Sequence, residues 1–282
     1  MPPTPRHEAT PPRGTRTRHE AGPGRTPPPG ARPVARPVAL VTGASSGIGE
    51  AVADRFAADG RWRLLLGGRD EERLAEVARR TGGEALRADL AGRAEVERFA
   101  AEALEREGRV DALVAAAGIG WAGPFTRMPG DAVDRLIALN LTSVVHLVRL
   151  VLPGMVERGV GRVVIIGSMA GRVGVGNEAL YAATKGGLLA FADSLRYELA
   201  GTRVGVTVVL PGAVETPFFS RRGVPYHREH PRPVPAGRVA EAVWRSAVRG
   251  ADDVFVPGWL AFPARLHGAV PGFFRAMAKR FG

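Results

Sequence analysis

Cysteine is absent from this 282-residue chain, lysine and asparagine occur twice each, and tyrosine occurs three times. The missing cysteine excludes a disulfide framework and a thiolate metal site, and it fits a reducing cytoplasm, where the chain is expected to work. Apolar stretches read as strand-sized, so no segment is predicted to span a bilayer, which takes about 18 or more apolar residues. The shortage of lysine carries more information. The chain writes its other cations as 37 arginines, so a lysine is expected where arginine cannot serve, as when a compact ammonium must stand beside a phenol. Lys185 qualifies, because it follows Tyr181 by four residues in the run YAATK, whereas Lys279 lies near the C-terminus and suggests no such role.

Acidic residues are also in short supply, leaving a net charge of +11. Residues 1–37 contribute +5 of it, together with eleven prolines and almost no aliphatic periodicity. Residues 1–36 are therefore predicted to be a disordered Pro/Arg-rich tail. A passive extension, or a start codon assigned too far upstream, is the favoured reading. A basic arm for nucleic acid or anionic lipid and a targeting peptide are the others, and proline density opposes the last. Nucleic-acid binding through the tail predicts an affinity that falls steeply with salt, and no nucleic-acid partner is expected.

From Val38 onward apolar runs alternate with helical stretches, the pattern of βαβ units. Strands are predicted at 38–41, 62–66, 84–88, 112–116, 160–166, 204–209 and 253–256. Helices are predicted near 48–59, 71–80, 94–107, 131–156, 179–199 and 238–249. Runs such as VVII at 163–166 suit parallel strands buried on both faces. The predicted fold is α/β, a Rossmann-type doubly wound parallel sheet of about seven strands with helices on both faces, in one domain over residues 37–257. A lid is predicted at about 213–235 and an amphipathic C-terminal extension at 258–282. Such a sheet binds its ligand beyond the C-terminal strand ends, where strand order reverses.

Directly after the first strand stands Thr42-Gly43-Ala44-Ser45-Ser46-Gly47-Ile48-Gly49, a glycine turn opening a helix. Backbone N–H groups and the helix dipole can meet a pyrophosphate there. After the second predicted strand comes Gly67-Gly68-Arg69-Asp70. An acid at the strand end would hold a ribose 2′-hydroxyl, whereas Gly followed by Arg69 favours a 2′-phosphate and hence NADP(H) over NAD(H). Asp89, followed by Leu90, is either an acceptor for an adenine amino group or an ordinary helix N-cap.

Positions 181 and 185 share a helix face, so the Lys185 ammonium can approach the Tyr181 phenol or the ribose hydroxyls beside it. A phenol titrates near 10, and a cation about 4 Å away at an effective dielectric of 20 would lower that by at most about three units. Ser168, ending a buried strand, can donate to a substrate oxygen. Asn140 sits inside a predicted long helix, where asparagine is a poor choice for stability, and a functional bend or water-holding role is expected. Gly167-Ser168-Met169-Ala170-Gly171 is no hydrolase elbow, because Ile166 stands where the first glycine belongs. His227 and His230 lack an evident third ligand, so no metal is expected.

In these residues the chain resembles the short-chain dehydrogenase/reductase family over about residues 37–257. The resemblance is carried by TGASSGIG at 42–49, Asp89, Asn140 in LNLTS, Ser168 in IGSMAG, YAATK at 181–185 and PGAVET at 211–216. One departure is Ala115-Ala116-Ala117-Gly118, where the family usually carries one or two asparagines tied to hydrogen bonding around the cofactor pocket. The resemblance implies a catalytic set of Asn140, Ser168, Tyr181 and Lys185. It implies a dinucleotide held by Thr42, Gly43, Ser45, Ser46, Gly47, Ile48, Gly49, Arg69, Asp89, Leu90, Ala116 and Gly118, then Asn140, Tyr181, Lys185, Pro211, Gly212, Val214 and Thr216. Substrate is expected against Ser168, Tyr181 and Phe218, with Phe219, Tyr226, Trp121 and Phe125 lining an apolar pocket. The implied function is NADP(H)-dependent hydride transfer between nicotinamide and a ketone or secondary alcohol, in a homodimer or homotetramer. Alternatives are a 3-oxoacyl-thioester reductase, against which the unusual C-terminus argues, and a non-catalytic nucleotide sensor. The aromatic and basic residues after Pro257 could cover the pocket or a neighbouring subunit, or make a weak membrane-surface contact.

Overall fold

The computed structural model describes residues 36–226, 231–274 and 276, so the predicted tail up to Ala35, His227, His230 and Lys279 lie outside the described residues. The first half alternates β1 (Val38–Thr42), α1 (Gly47–Asp59), β2 (Arg63–Gly68), α2 (Glu71–Thr81), β3 (Glu84–Arg87), α3 (Arg93–Glu107) and β4 (Ala112–Ala115). A long helical stretch, α4 (Gly130–Ile137) and α5 (Ser143–Glu157), leads to β5 (Val160–Ile166), α6 (Met169–Val173), α7 (Ala179–Glu198) and β6 (Arg203–Pro211). The chain then runs through β7 (Val214–Glu215), α8 (Phe218–Arg221), β8 (Val234–Pro235), α9 (Ala236–Arg249), β9 (Asp253–Val256) and α10 (Ala261–Ala269).

Seven strands form one parallel sheet in the order β3-β2-β1-β4-β5-β6-β9, while β7 and β8 pair as a separate parallel ribbon. The predicted seven-stranded doubly wound sheet is the one observed. Its strands are apolar on both sides, and two buried clusters flank it. One is built on Leu40, Phe99, Leu113, Leu147 and Ile165, the other on Val41, Phe56, Leu66, Val114 and Val243. Each fully buried leucine or phenylalanine adds about 1.5–3 kcal/mol relative to an exposed one. Strand order reverses between β1 and β4, and the register sets Thr42 beside Gly67 and Ala115 beside Ile165. The polar strand ends therefore converge on one edge.

Two expectations need correction here. Gly67 and Gly68 are the last two residues of β2 rather than residues that follow it, and Gly67 tolerates no side chain because a Cβ would stand 2.5 Å from the Phe99 ring. The segment Gly130–Glu157 is long and apolar enough to cross a membrane by length and composition, so apolar stretches are not all strand-sized. In the fold it is a core helix, with Leu136, Val144, Leu147, Val148, Val151 and Met155 buried. Its α4 and α5 halves are joined by a π-helical turn, Ala138–Thr142, centred on Asn140. The bend expected at Asn140 is thus a π turn, a feature that recurs at functional sites.

Candidate active site

The glycine turn lies between β1 and α1. Gly43 has φ +69°, and a Cβ there would stand 2.8 Å from the Ala117 nitrogen. At Gly49 a Cβ would meet the Gly43 carbonyl oxygen at 2.2 Å, so the turn closes tightly on the first turn of α1. Ser46 is the N-cap residue of α1, yet its side chain makes no capping hydrogen bond. The N–H groups that open a helix have no intrahelical partner. Here they face a cavity of about 1080 Å³, whose walls include Ser45, Ser46, Gly47, Ile48, Gly43 and Thr216.

The Ser46 hydroxyl instead accepts from Arg221 of α8 at 3.0 Å. Thr216 stands over the same turn, because a Cβ on Gly47 would lie 3.2 Å from its Cβ. Pro211, Gly212 and Val214 join the cavity wall, as do Leu90, Ala116 and Gly118. Beyond β2, Arg69, Asp70 and Arg73 line the cavity, and Asp70 caps α2 by accepting from the Arg73 N–H. Asp89 is not a helix cap, since Gly92 caps α3. Its carboxylate accepts from Arg135 at 3.0 Å and from the Ala91 N–H at 3.3 Å, with Arg69 at 4.0 Å. Burial pushes the Asp89 carboxyl up, but these partners hold it below its ordinary range.

Three expected cofactor residues do not line the cavity: Gly49 packs on the Gly43 carbonyl, and Thr42 and Asn140 support the wall from beneath. The buried Thr42 hydroxyl accepts from the N–H groups of Ala116 and Ala117 at 3.0 and 3.1 Å. Fully buried Asn140 makes a two-way clamp on one residue, accepting from the Ile119 N–H at 2.9 Å and donating to the Ile119 carbonyl at 2.8 Å. The segment after β4, which has alanine where asparagine is usual, is thus pinned from Thr42 and Asn140. A Cβ on Gly118 would lie 3.3 Å from Asn140 Oδ1 and 3.8 Å from Lys185 Nζ, so both groups flank the same backbone.

Ser168, Tyr181 and Lys185 come together at the centre of the cavity. Ser168 caps α6, accepting from the Ala170 N–H at 3.1 Å, and its hydroxyl is near enough to the Tyr181 phenol to lower the phenol's pKa. Lys185 is buried and donates to the Ile166 carbonyl at 2.8 Å, with Nζ 5.9 Å from the Tyr181 ring centroid. Close packing brings this about: a Cβ on Gly171 would stand 2.6 Å from the Lys185 carbonyl carbon, so only glycine lets α6 lie against α7.

The electrostatics differ from expectation. Burial pushes the Tyr181 phenol up to about 12; the Ser168 hydroxyl pulls down, Glu178 adds a further push and Arg222 a further pull. Lys185 is not among the groups that lower it. The ammonium is turned to the Ile166 carbonyl rather than to the phenol, and its own burial brings it down to about 8. In this state the phenol is an acid and not a ready base.

Around Tyr181 the wall is aromatic. Phe218 packs at 5.5 Å from its ring, followed by Phe219 and Tyr226 at 5.6 and 5.0 Å steps. Trp121 and Phe125 do not line the cavity. The segment there presents Ile119, Gly120, Ala122, Gly123 and Pro124, while the Trp121 ring packs over Gly123 and Phe125 is 60% exposed. Trp259, Leu260, Pro263 and Phe274 from the C-terminal segment close one side, as the pocket-covering alternative anticipates. Arg222 pairs with Glu178, and both side chains are largely buried. Arg73, Arg221, Arg222 and Glu178 were not singled out from the sequence, because nothing distinguishes these arginines from 34 others before the lid is folded.

The sequence profile of the short chain dehydrogenases matches residues 37–224. This chain belongs to the short chain dehydrogenase family. It is an oxidoreductase that acts on CH–OH groups with a nicotinamide dinucleotide. Among its relatives, the granaticin polyketide synthase putative ketoacyl reductase 1 of Streptomyces violaceoruber is 41% identical over 194 residues, covering 66% of this chain and 71% of the relative. Among solved structures, a short-chain dehydrogenase from Sphingobium yanoikuyae in complex with NADPH superposes with a TM-score of 0.75 at 32% identity, covering 86% of this chain and 95% of that one. A short chain dehydrogenase/reductase of Burkholderia phymatum in complex with NAD reaches the same TM-score at 25% identity, covering 84% and 94%. In this short chain dehydrogenase the cavity accordingly runs from the glycine turn to Tyr181.

Proposed function

We propose that the protein is an NADP(H)-dependent reductase of apolar ketones, with the reverse oxidation of secondary alcohols. The observation that carries this reading is the continuous cavity that joins the glycine turn to Ser168, Tyr181 and Lys185. The glycine cradle, which a single Cβ would fill, suits a dinucleotide diphosphate, and the bound nicotinamide supplies or accepts the hydride. Arg69 and Arg73, with Gly68 at the strand end, favour a 2′-phosphate. Thr216 and the backbone of Pro211–Gly212, on the same cavity wall, are assigned to the nicotinamide half.

With its phenol near 12, Tyr181 is protonated at neutral pH and gives its proton to the alkoxide that develops from the carbonyl. Ser168 donates to the same oxygen. Lys185 anchors the ribose beside Tyr181 and, being near 8, exchanges protons in the working range. Asn140 acts by fixing Ile119 and the backbone between itself and Lys185. Phe218, Phe219 and Tyr226 give the substrate an apolar, aromatic site. The reading includes a homodimer or homotetramer in the cytoplasm, as is usual in the family.

A second reading, reduction of a 3-oxoacyl thioester, is favoured by the ketoacyl reductase relative. The test is calorimetric titration with NADPH and NADH, then nicotinamide absorbance across a panel of hydrophobic ketones and short 3-oxoacyl thioesters. Tight NADPH binding with ketone turnover is expected. Turnover confined to the thioesters would replace the first reading by the second. Tyr181→Phe is expected to keep cofactor binding and lose turnover; a variant as active as the parent would sink both and leave a nucleotide sensor. Binding of neither nucleotide would sink all three.

A further inference from the structure

We propose that the surface formed by α10, the turns on either side of it and the segment from Arg232 into α9 docks on an anionic lipid surface. Three large aromatic side chains stand out there, with Trp259 56%, Phe262 72% and Phe273 63% exposed. Burying such rings against solvent would stabilise the protein, and the fold leaves them out. Phe262 and Arg265 are neighbours one helical turn apart on α10, so an apolar ring and a cation share one stripe.

Charge selects the partner. Trp259 shares a shallow depression with Arg232 and Arg238 and with a rim of prolines. Among the described residues, no carboxylate stands within ion-pair distance of Arg232, Arg238 or Arg265, although most exposed arginines elsewhere are paired, as Arg80 is with Asp54 and Glu50. The sequence after Asp253 holds four Arg and Lys residues and no acid at all. Aromatic rings at headgroup depth with cations over lipid phosphates are what an anionic bilayer surface accepts.

A second copy of the chain fits worse. A two-fold interface would set this patch against itself and bring the unpaired arginines together. An acidic protein would satisfy the arginines but would leave the three rings unexplained. Trp259 lines both the depression and the catalytic cavity, so the cavity opens beside the docking face. An apolar substrate dissolved in the bilayer would reach Tyr181 without crossing water. That last step rests on the apolar-ketone reading, whereas the docking itself does not.

The experiment is co-sedimentation of the full chain with vesicles of pure phosphatidylcholine and of equimolar phosphatidylcholine and phosphatidylglycerol. Binding to the mixed vesicles only, weakened by salt, is expected. Phe262→Ser with Phe273→Ser should weaken it about tenfold or more. Arg232→Gln with Arg238→Gln should weaken it by about fivefold per arginine. None of these four residues lines the catalytic cavity, so NADPH affinity and melting temperature should stay at the parent values, which also shows that the variants fold. Three outcomes would overturn the proposal. One is no binding to mixed vesicles. Another is binding that survives both pairs of substitutions but is lost when residues 2–35 are deleted. The third is a parent chain whose dimer dissociates in the aromatic variant while lipid binding is unchanged. Failure to bind NADPH would sink the oxidoreductase reading and leave the docking result standing.

Discussion

Arg222, at the end of α8, pairs with Glu178 just before the first turn of α7, three residues ahead of Tyr181, and the pair is largely buried. The Glu178 charge pushes the Tyr181 phenol up and the Arg222 charge pulls it down. The pair therefore links the placement of α8 to the acidity of the phenol. Alcohol oxidation needs the phenolate, so its pH profile reads this balance. Arg222→Ala should move the ascending limb of that profile to higher pH, and Glu178→Gln should move it to lower pH, each by about one pH unit. Profiles of kcat for oxidation check this; equal shifts in the same direction would show a structural effect instead.

Lys185 carries a stability signature in the cofactor-free protein. Its folded value of about 8 lies below the ordinary lysine value of 10.5. Between these values the unfolded chain binds more protons, so stability rises with pH across that window. Below about 8 the buried ammonium costs about 3 kcal/mol, and above 10.5 that cost is gone. Lys185→Met should remove this rise. Urea midpoints for parent and variant at pH 7 and pH 10 would check it, the parent gaining relative to the variant as pH increases.

Asn140 is expected to matter for folding as well as for turnover. Asn140→Ala would leave the N–H and carbonyl of Ile119 without their partners, at a cost of about 1–3 kcal/mol each. Chemical denaturation should show a destabilisation of about 2–5 kcal/mol. Asn140→Asp can still accept from the N–H but cannot donate, so it should recover part of the loss. Recovery of nothing would mean that the clamp is not what Asn140 supplies.

How much of this was legible in the sequence follows from how local each feature is. The glycine turn, Ser168, Tyr181 and Lys185 were readable, because a tight turn and an i, i+4 pair are set within a few residues. The seven-stranded sheet was readable from continuous apolar runs. What Asn140 holds was not, since its partner Ile119 comes from another element, 21 residues away. The direction in which the Tyr181 phenol moves was misread for the same reason. The expectation placed the Lys185 ammonium against the phenol, and the fold spends it on the Ile166 carbonyl from the neighbouring strand. Trp121 and Phe125 were assigned to the pocket by type alone, and the turn there points them elsewhere.

The arginines beyond β2 should decide between the two nicotinamide dinucleotides. Arg69 and Arg73 line the cavity with largely exposed side chains, Arg69 near Asp89 and Arg73 near Asp70, so both are free to turn to a phosphate. A charge-assisted hydrogen bond contributes about 1.5–3 kcal/mol. Arg69→Ala with Arg73→Ala should weaken NADPH binding by roughly tenfold to a hundredfold and leave NADH within about twofold. Calorimetric Kd values for both nucleotides in both proteins would measure it. Equal losses for NADPH and NADH would place these arginines elsewhere on the cofactor.

Arg221 differs from that pair in what it reaches. It bonds the Ser46 hydroxyl, at the N-terminal turn of α1, and among the described residues it has no carboxylate within ion-pair distance. A dinucleotide diphosphate at that turn would offer it a better acceptor than a neutral hydroxyl. Because the diphosphate is common to both nucleotides, Arg221→Ala should weaken NADPH and NADH alike, by about tenfold. Arg221 also belongs to α8, so the bound cofactor should hold the lid: NADPH should slow tryptic cleavage after Arg222 in the parent and lose that protection in the variant. Loss for NADPH alone would assign Arg221 to the 2′-phosphate. Unchanged affinity with unchanged protection would remove it from the cofactor site.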